Sequence, residues 1–226
     1  MNFMIEEVTK LMGNMVDEWA VCGGDAIDLF VGKTTRLHKD MDIAVFWNDR
    51  EQIIDSFLNT GWRIFEPDNG LLREILSIQD DLCTEDNLWC IKANSNSYEI
   101  RNIYDNFYEI TTERKHQDIM DFIELLLNRK EDDLFLYKRN PSINLSNAIH
   151  YTKENIPYLA PEMVLLYKSI FVKFTKSTQK NDIEMIVNYR HDFDVAIKNL
   201  SEKQRDWLRN ALNISFPNGH EWLEQL

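Results

Sequence analysis

The chain has 226 residues, 44% of them hydrophobic and 28% charged, enough to bury the core of one large domain or two small ones. Its 25 Lys and Arg stand against 38 Asp and Glu, a formal charge of −13 that repels phosphate backbones and makes nucleic acid a poor partner. No apolar run reaches bilayer length, no basic segment precedes an apolar stretch at the N-terminus, and Cys22, Cys83 and Cys90 lack CxxC spacing. No membrane span, secretory signal, zinc site or disulfide framework is therefore expected, and a reducing, cytoplasmic location is. The acidity suits a small cationic substrate; it equally serves solubility alone.

In chain order, Met4, Val8, Leu11, Met12, Met15 and Val16 recur at helical spacing, which predicts an amphipathic first helix over 4–17. Ala20-Val21-Cys22 reads as a brief strand entering Gly23-Gly24, and Asp25 to Val31 as a short helix stopped by Gly32. Met41 to Trp47 is rich in strand formers, and helical spacing returns from Glu51 to Asn59 before Gly61. Between Trp62 and Arg139 the segments RIFE, NLWCIKA, YEIRNIY, IMDFIELLL and DLFLYKR have extended character, separated by polar loops.

After Pro157 the pattern turns helical. YLAPEMVLLYKSIFVKF carries Pro161 at a favoured first-turn position with Glu162 beside it. A second helix is predicted over Asp182–Tyr189, and a third behind the capping-box pattern Ser201 to Gln204. The fold class is α+β: a mixed β-sheet flanked by helices over residues 1–152, then a helical domain over 153–226.

The chemistry concentrates in GGDAIDLFVGKTTRLHKDMDI, residues 23–43. Alternate strand residues share a face, so Asp40 and Asp42 project together, roughly 7 Å apart along the backbone, while Met41, Ile43 and Val45 point the other way. Two such carboxylates need a counter-charge, and Mg²⁺ supplies it with phosphate oxygens and water completing its shell. A Gly23-Gly24 turn lets backbone N–H groups approach phosphate at a helix N-terminus, and Lys33, Arg36 and His38 add donors on the loop. A lone DxD or GG is usually a solvated strand end or a plain turn. The ordered set of strand, GG, helix, basic loop and DxD strand points instead to a held nucleoside triphosphate.

GGDAIDLFVGKTTRLHKDMDIAVF resembles the core of the polymerase-β superfamily of nucleotidyltransferases. Within it, the match is to the aminoglycoside and lincosamide nucleotidyltransferase-like group, where GGxAID, a G-R/K-x-T-R segment and HxDxD recur in this order. LWCIK (88–92), LYKRNPSI (136–143), IPYLAPEMVLLYKS (156–169), KNDIEM (180–185), QRDWLRNAL (204–212) and GHEWLEQL (219–226) resemble further segments of the group, and 67–117 matches loosely. The resemblance implies a nucleotidyltransferase-like sheet and transfer of a nucleoside monophosphate from an NTP, with ATP the expected donor. The acceptor is a small-molecule hydroxyl, an aminoglycoside or lincosamide antibiotic among the candidates, and pyrophosphate is released. Asp40 and Asp42 are the implied metal ligands, for two Mg²⁺ ions, with a third acid from a neighbouring strand as ligand, general base or both. Asp121 is the expected third acid, and Glu124 on the opposite face of the same strand is the alternative. Lys168 is the implied lysine reaching the triphosphate, against its reading as a snorkelling surface lysine.

Asp25 stands where the group usually has an aromatic residue, and its expected role is to cap the following helix. Lys180 and Asp182 read as caps of the next helix. His38 reads first as a structural donor, and His116, His150, His191 and His220 lack metal-like spacing. Trp89 and Cys90 read as core, with Tyr98 or Tyr104 as candidates to line a substrate cleft. The alternative function is a nucleotide-binding or antitoxin-type regulatory protein of the same fold with impaired catalysis. RNA end modification is a third reading, which the net charge disfavours. Whether a homodimer completes the acceptor pocket is left open.

Overall fold

The computed structural model describes residues 3–38, 40–80, 87–111, 120–174 and 180–226. The chain forms two compact units, one of Met1–Val21 with His38–Lys130, the other of Cys22–Leu37 with Glu131–Leu226. Residues 22–37 and 131–152, grouped with the sheet on sequence pattern, thus cluster with the C-terminal helices.

The elements open with α1 (Phe3–Gly13), β1 (Ala20–Val21), α2 (Gly23–Val31), β2 (Asp42–Phe46) and α3 (Arg50–Asn59). Next come β3 (Trp62–Asp68), β4 (Leu71–Ile75), β5 (Asn87–Lys92), β6 (Glu99–Tyr104), β7 (Phe107–Thr111) and β8 (Phe122–Glu131). In the second unit they continue with β9 (Leu134–Leu136), β10 (Asn144–Ser146), β11 (Ile149–Tyr151), β12 (Pro157–Leu159), α4 (Pro161–Phe174), α5 (Lys180–Ala196) and α6 (Glu202–Ser215).

The first unit is a mixed sheet in the spatial order β1-β2-β8-β5-β3-β4-β7-β6. Strands β2 and β8 run parallel, from Asp42 opposite Glu124 to Phe46 opposite Asn128, and the other pairs of the sheet are antiparallel. One face carries Ile43, Val45, Ile123, Leu125, Leu88, Cys90, Ile64 and Ile75, all fully buried. Period-two alternation on central strands produces this face directly. Helix α3 packs on β3, burying Ile53, Ile54 and Phe57, with Phe57 edge-on to Trp62 at 5.3 Å. The opposite face holds Asp42 and Glu124.

In the second unit α4 packs against α2, α5 and α6. Its Met163, Val164, Leu165 and Leu166 are buried, and Phe193 of α5 stacks on Trp222 at 4.2 Å. The Ser201/Gln204 capping box is formed in full at the start of α6. Strands β9–β10 and β11–β12 pair as two short antiparallel ladders.

Several boundaries and elements differ from those expected on sequence pattern, among them the following. Helix α1 ends at Gly13, although Met15 and Val16 beyond it are buried, because Gly favours leaving the helix there. Helix α5 runs past Tyr189 to Ala196, since Phe193 and Ala196 bury a further stretch. Strand β4 and the three-residue strands β10 to β12 are too short or too polar to show alternation, and long-range pairing creates them.

Gly32 caps α2 in the left-handed region, at φ 74°, with its N–H bonded to the Asp28 carbonyl. No atom lies within 4 Å of a Cβ built there, so backbone strain alone opposes a side chain. Gly32→Ala should lower stability in urea denaturation by about 1–2 kcal/mol, and Gly32→Asn by clearly less.

Candidate active site

The parallel β2–β8 register sets Asp42 directly opposite Glu124, and the Glu124 N–H donates to the Met41 carbonyl at 2.9 Å. Asp40, two residues before Asp42, joins them. One carboxylate oxygen from each of Asp40, Asp42 and Glu124 lies within 4.8 Å of the other two. Asp40 is exposed, whereas Asp42 and Glu124 are half-buried. The Asn87 amide, on the neighbouring β5, donates to Glu124. Burial pushes Glu124 above the usual carboxylate range; the Asn87 contact opposes this and the Asp40 charge adds to it. Three converging carboxylates form a hard, anionic oxygen set, a donor chemistry that fits Mg²⁺.

Asp121 stands elsewhere. It precedes β8 and is buried at 2% exposure, its Oδ2 accepting from the Ser95 hydroxyl at 2.6 Å and its carbonyl from the Lys92 N–H at 3.0 Å. Its Oδ1 has no hydrogen-bond partner. Strand alternation sends positions 121 and 123 away from the face of Glu124. Among the described residues the carboxylate grouped with Asp40 and Asp42 is Glu124, and Asp121, preferred on sequence, lies outside that group.

The second unit holds most of the expected phosphate-side residues. Gly23 opens α2 at φ 64°, and Gly24 is buried beside it. The helix is N-capped by Cys22 without a side-chain bond, so Asp25 is no cap residue. It lies buried inside the first turn, where its charge suits the helix dipole. Asp28 accepts from the Thr35 N–H at 3.0 Å and hydroxyl at 2.6 Å, folding the loop back along α2. Lys33 is exposed on that loop, and His38 is half-buried in the first unit. The side chain of Lys180 lies outside the described residues.

Arg36 and Lys168 meet on a residue that sequence reasoning missed. The Arg36 guanidinium donates through Nε and Nη2 to the two carboxylate oxygens of Asp192 at 2.8 and 2.9 Å, and Lys168 Nζ approaches Oδ2 at 2.9 Å. The Asp192 side chain has no exposure. Lys168 is itself buried, with Nζ 4.2 Å from the Tyr189 ring centroid, rather than snorkelling at the surface. Burial opposes both charges of the Arg36–Asp192 pair, yet the bidentate bond and Lys168 carry Asp192 below the ordinary carboxylate range, and Arg36 is raised. No local signal marks Asp192, since its role depends on Lys168 and Arg36, both distant along the chain.

A family model described as aminoglycoside-2''-adenylyltransferase matches residues 4–70. The solution structure of the antibiotic-resistance factor ANT(2'')-Ia is 12% identical, covers 95% of this chain and 92% of that one, and gives a TM-score of 0.54. The crystal structure of ANT(2'')-Ia with adenylyl-2''-tobramycin is 12% identical, covers 93% and 98%, and gives 0.52. The family model covers less than half of the chain, and the two ANT(2'')-Ia structures, at 12% identity, show that the chain shares their fold. A lincomycin-bound crystal structure of the lincosamide antibiotic adenylyltransferase LnuA is 14% identical over 84% of this chain and 96% of that one, with a TM-score of 0.49. No curated protein matches the sequence. The architecture is α+β, a large mixed sheet with helices, a fold shared with the ANT(2'')-Ia structures.

Removing the charge of Asp192 leaves Arg36 and Lys168 buried without their anion, so Asp192→Asn should cost about 3–5 kcal/mol in chemical denaturation at neutral pH. A lowered folded-state pKa contributes stability that is present above the unfolded value and lost as pH falls through the folded one. The difference between wild type and Asp192→Asn should accordingly shrink as pH drops below the ordinary carboxylate range. A gap independent of pH would exclude the ion pair as its origin.

Proposed function

We propose that this protein transfers a nucleoside monophosphate from ATP to a hydroxyl of a small molecule, with release of pyrophosphate. The observation that carries the reading is the meeting of Asp40, Asp42 and Glu124, with ligand oxygens within 4.8 Å of one another, on one edge of β2 and β8. These residues would hold Mg²⁺, as two ions, and the metal when bound supplies positive charge to the phosphate oxygens.

Asp40 and Asp42 act as fixed anionic ligands, held by the strand and its entry. Glu124 is assigned the proton. Its carboxylate is the one of the three that β5 also positions, through the Asn87 amide, and a positioned carboxylate can accept the hydroxyl proton. As the acceptor oxygen forms its bond to the α-phosphorus, the hydroxyl proton passes to a Glu124 oxygen. The α-phosphorus bond to the bridging oxygen breaks, and its electron pair leaves with pyrophosphate. Gly23, Gly24, Lys33, Arg36, His38 and Lys168 belong to the same proposal as residues that receive the nucleotide. The acceptor class follows the family: hydroxylated antibiotics of the aminoglycoside and lincosamide kind.

Incubation with Mg²⁺, labelled ATP and a panel of both antibiotic classes should yield a labelled acceptor. Glu124→Gln should lower kcat by about 10²–10⁴-fold with circular dichroism unchanged. Asp121→Asn should alter stability more than turnover, since its carboxylate bonds Ser95. Nucleotide binding that is independent of Mg²⁺ and unchanged by Asp42→Asn would show that the acid trio holds no metal for the nucleotide. Absence of transfer to every acceptor, with nucleotide binding intact, would favour the regulatory reading of the fold.

A further inference from the structure

The Glu124 side chain is braced from β5. Trp89 is its register partner there, and Asn87, two residues earlier on the same face, lies diagonally across. The Asn87 amide donates to Glu124 Oε1. Trp89 is half-buried, and its ring lies edge-on to Phe122 at 5.6 Å, which holds the indole against the strand that carries Glu124.

The indole nitrogen is the atom left unexplained. Trp89 Nε1 is buried and has no hydrogen-bond partner in this structure. A buried N–H left unpaired is costly. The acceptor near it is Glu124: burial raises this carboxyl, and the Asn87 amide opposes the rise, as does the Trp89 N–H. Asp40 acts in the other sense. Its negative charge repels the Glu124 carboxylate and favours rotamers that lead away from the trio. Donors on β5 work against that swing, in the way that outer hydrogen bonds orient a metal-ligating side chain.

Building on the nucleotidyltransferase reading of this site, we propose that Trp89 is a positioning residue whose indole N–H donates to Glu124. The bond completes as Glu124 turns to share a cation with Asp40 and Asp42. Asn87 and Trp89 together then fix one side of the carboxylate, and the other side is left for the cation and the acceptor proton. In this role Trp89 acts through Glu124 and need touch no substrate.

The test uses the full chain with its six tryptophans labelled with ¹⁵N, the Trp89 indole signal being identified by its loss in Trp89→Phe. Glu124→Ala should move that signal upfield and leave the other indole signals in place. Trp89→Phe keeps a ring against Phe122 but removes the N–H, so circular dichroism should be unchanged. Its affinity for Mn²⁺, read by electron paramagnetic resonance, should fall about tenfold. In the transfer assay at saturating Mg²⁺, kcat should fall by about the same factor with the ATP KM unchanged. Trp89→Tyr supplies the same readings should Trp89→Phe lose its fold. An indole signal that ignores Glu124→Ala, or Mn²⁺ binding indifferent to the loss of the N–H, would overturn the assignment. So would an unaltered chain that binds no Mn²⁺. Both readings met, without transfer to any acceptor, would uphold the positioning of Glu124 and overturn the catalytic reading instead.

Discussion

The parallel pairing of β2 with β8 is the constraint on which the candidate site depends. It is the parallel contact in a sheet otherwise built from antiparallel pairs, and its register sets Asp42 opposite Glu124. A slip of one residue would send Glu124 to the apolar face and bring Ile123 or Leu125 to the site. That slip is opposed by the fully buried Ile43, Val45, Ile123 and Leu125 on the other face. The hydrophobic side of the sheet thereby holds three carboxylates together that repel one another.

Acidic residues are used in two opposite ways. Asp192 is wholly buried and bonded to Arg36 and Lys168, so its charge is compensated within the second unit. Asp40, Asp42 and Glu124 instead converge on one another, and burial raises Glu124 while the Asp40 charge adds to the shift. A satisfied cluster stabilises a fold, whereas converging like charges are disfavoured until a cation joins them. This contrast explains why the acid trio carries the functional reading, whereas Asp192 itself carries a structural one.

Much of the framework was legible locally. Gly32 announced the end of α2 because a left-handed cap favours Gly, and it adopts that conformation. Ser201 and Gln204 announced the start of α6 through a reciprocal pair of hydrogen bonds that needs no distant partner. The alternation in DIAVF and FIELLL marked the two central strands. Less legible were β10 to β12, the C-terminal end of α5, and the assignment of residues 22–37 to the unit of the C-terminal helices. In each of these, partners far along the chain supply the stabilising contacts.

The sequence by itself determined which residues could meet: two-residue periodicity pairs Asp40 with Asp42, although β2 itself begins at Asp42 and Asp40 stands in the bend before it. It also set the choice of third acid as one between Asp121 and Glu124, whose parity on a single strand puts them on different faces. Only the tertiary structure brings Glu124, and not Asp121, beside Asp40 and Asp42. Register between two strands far apart in the chain arises from the packing of both on a common core, and no local pattern encodes it. The same holds for Trp89, whose apolar neighbours in NLWCIK suggest core, and which long-range pairing sets beside Glu124.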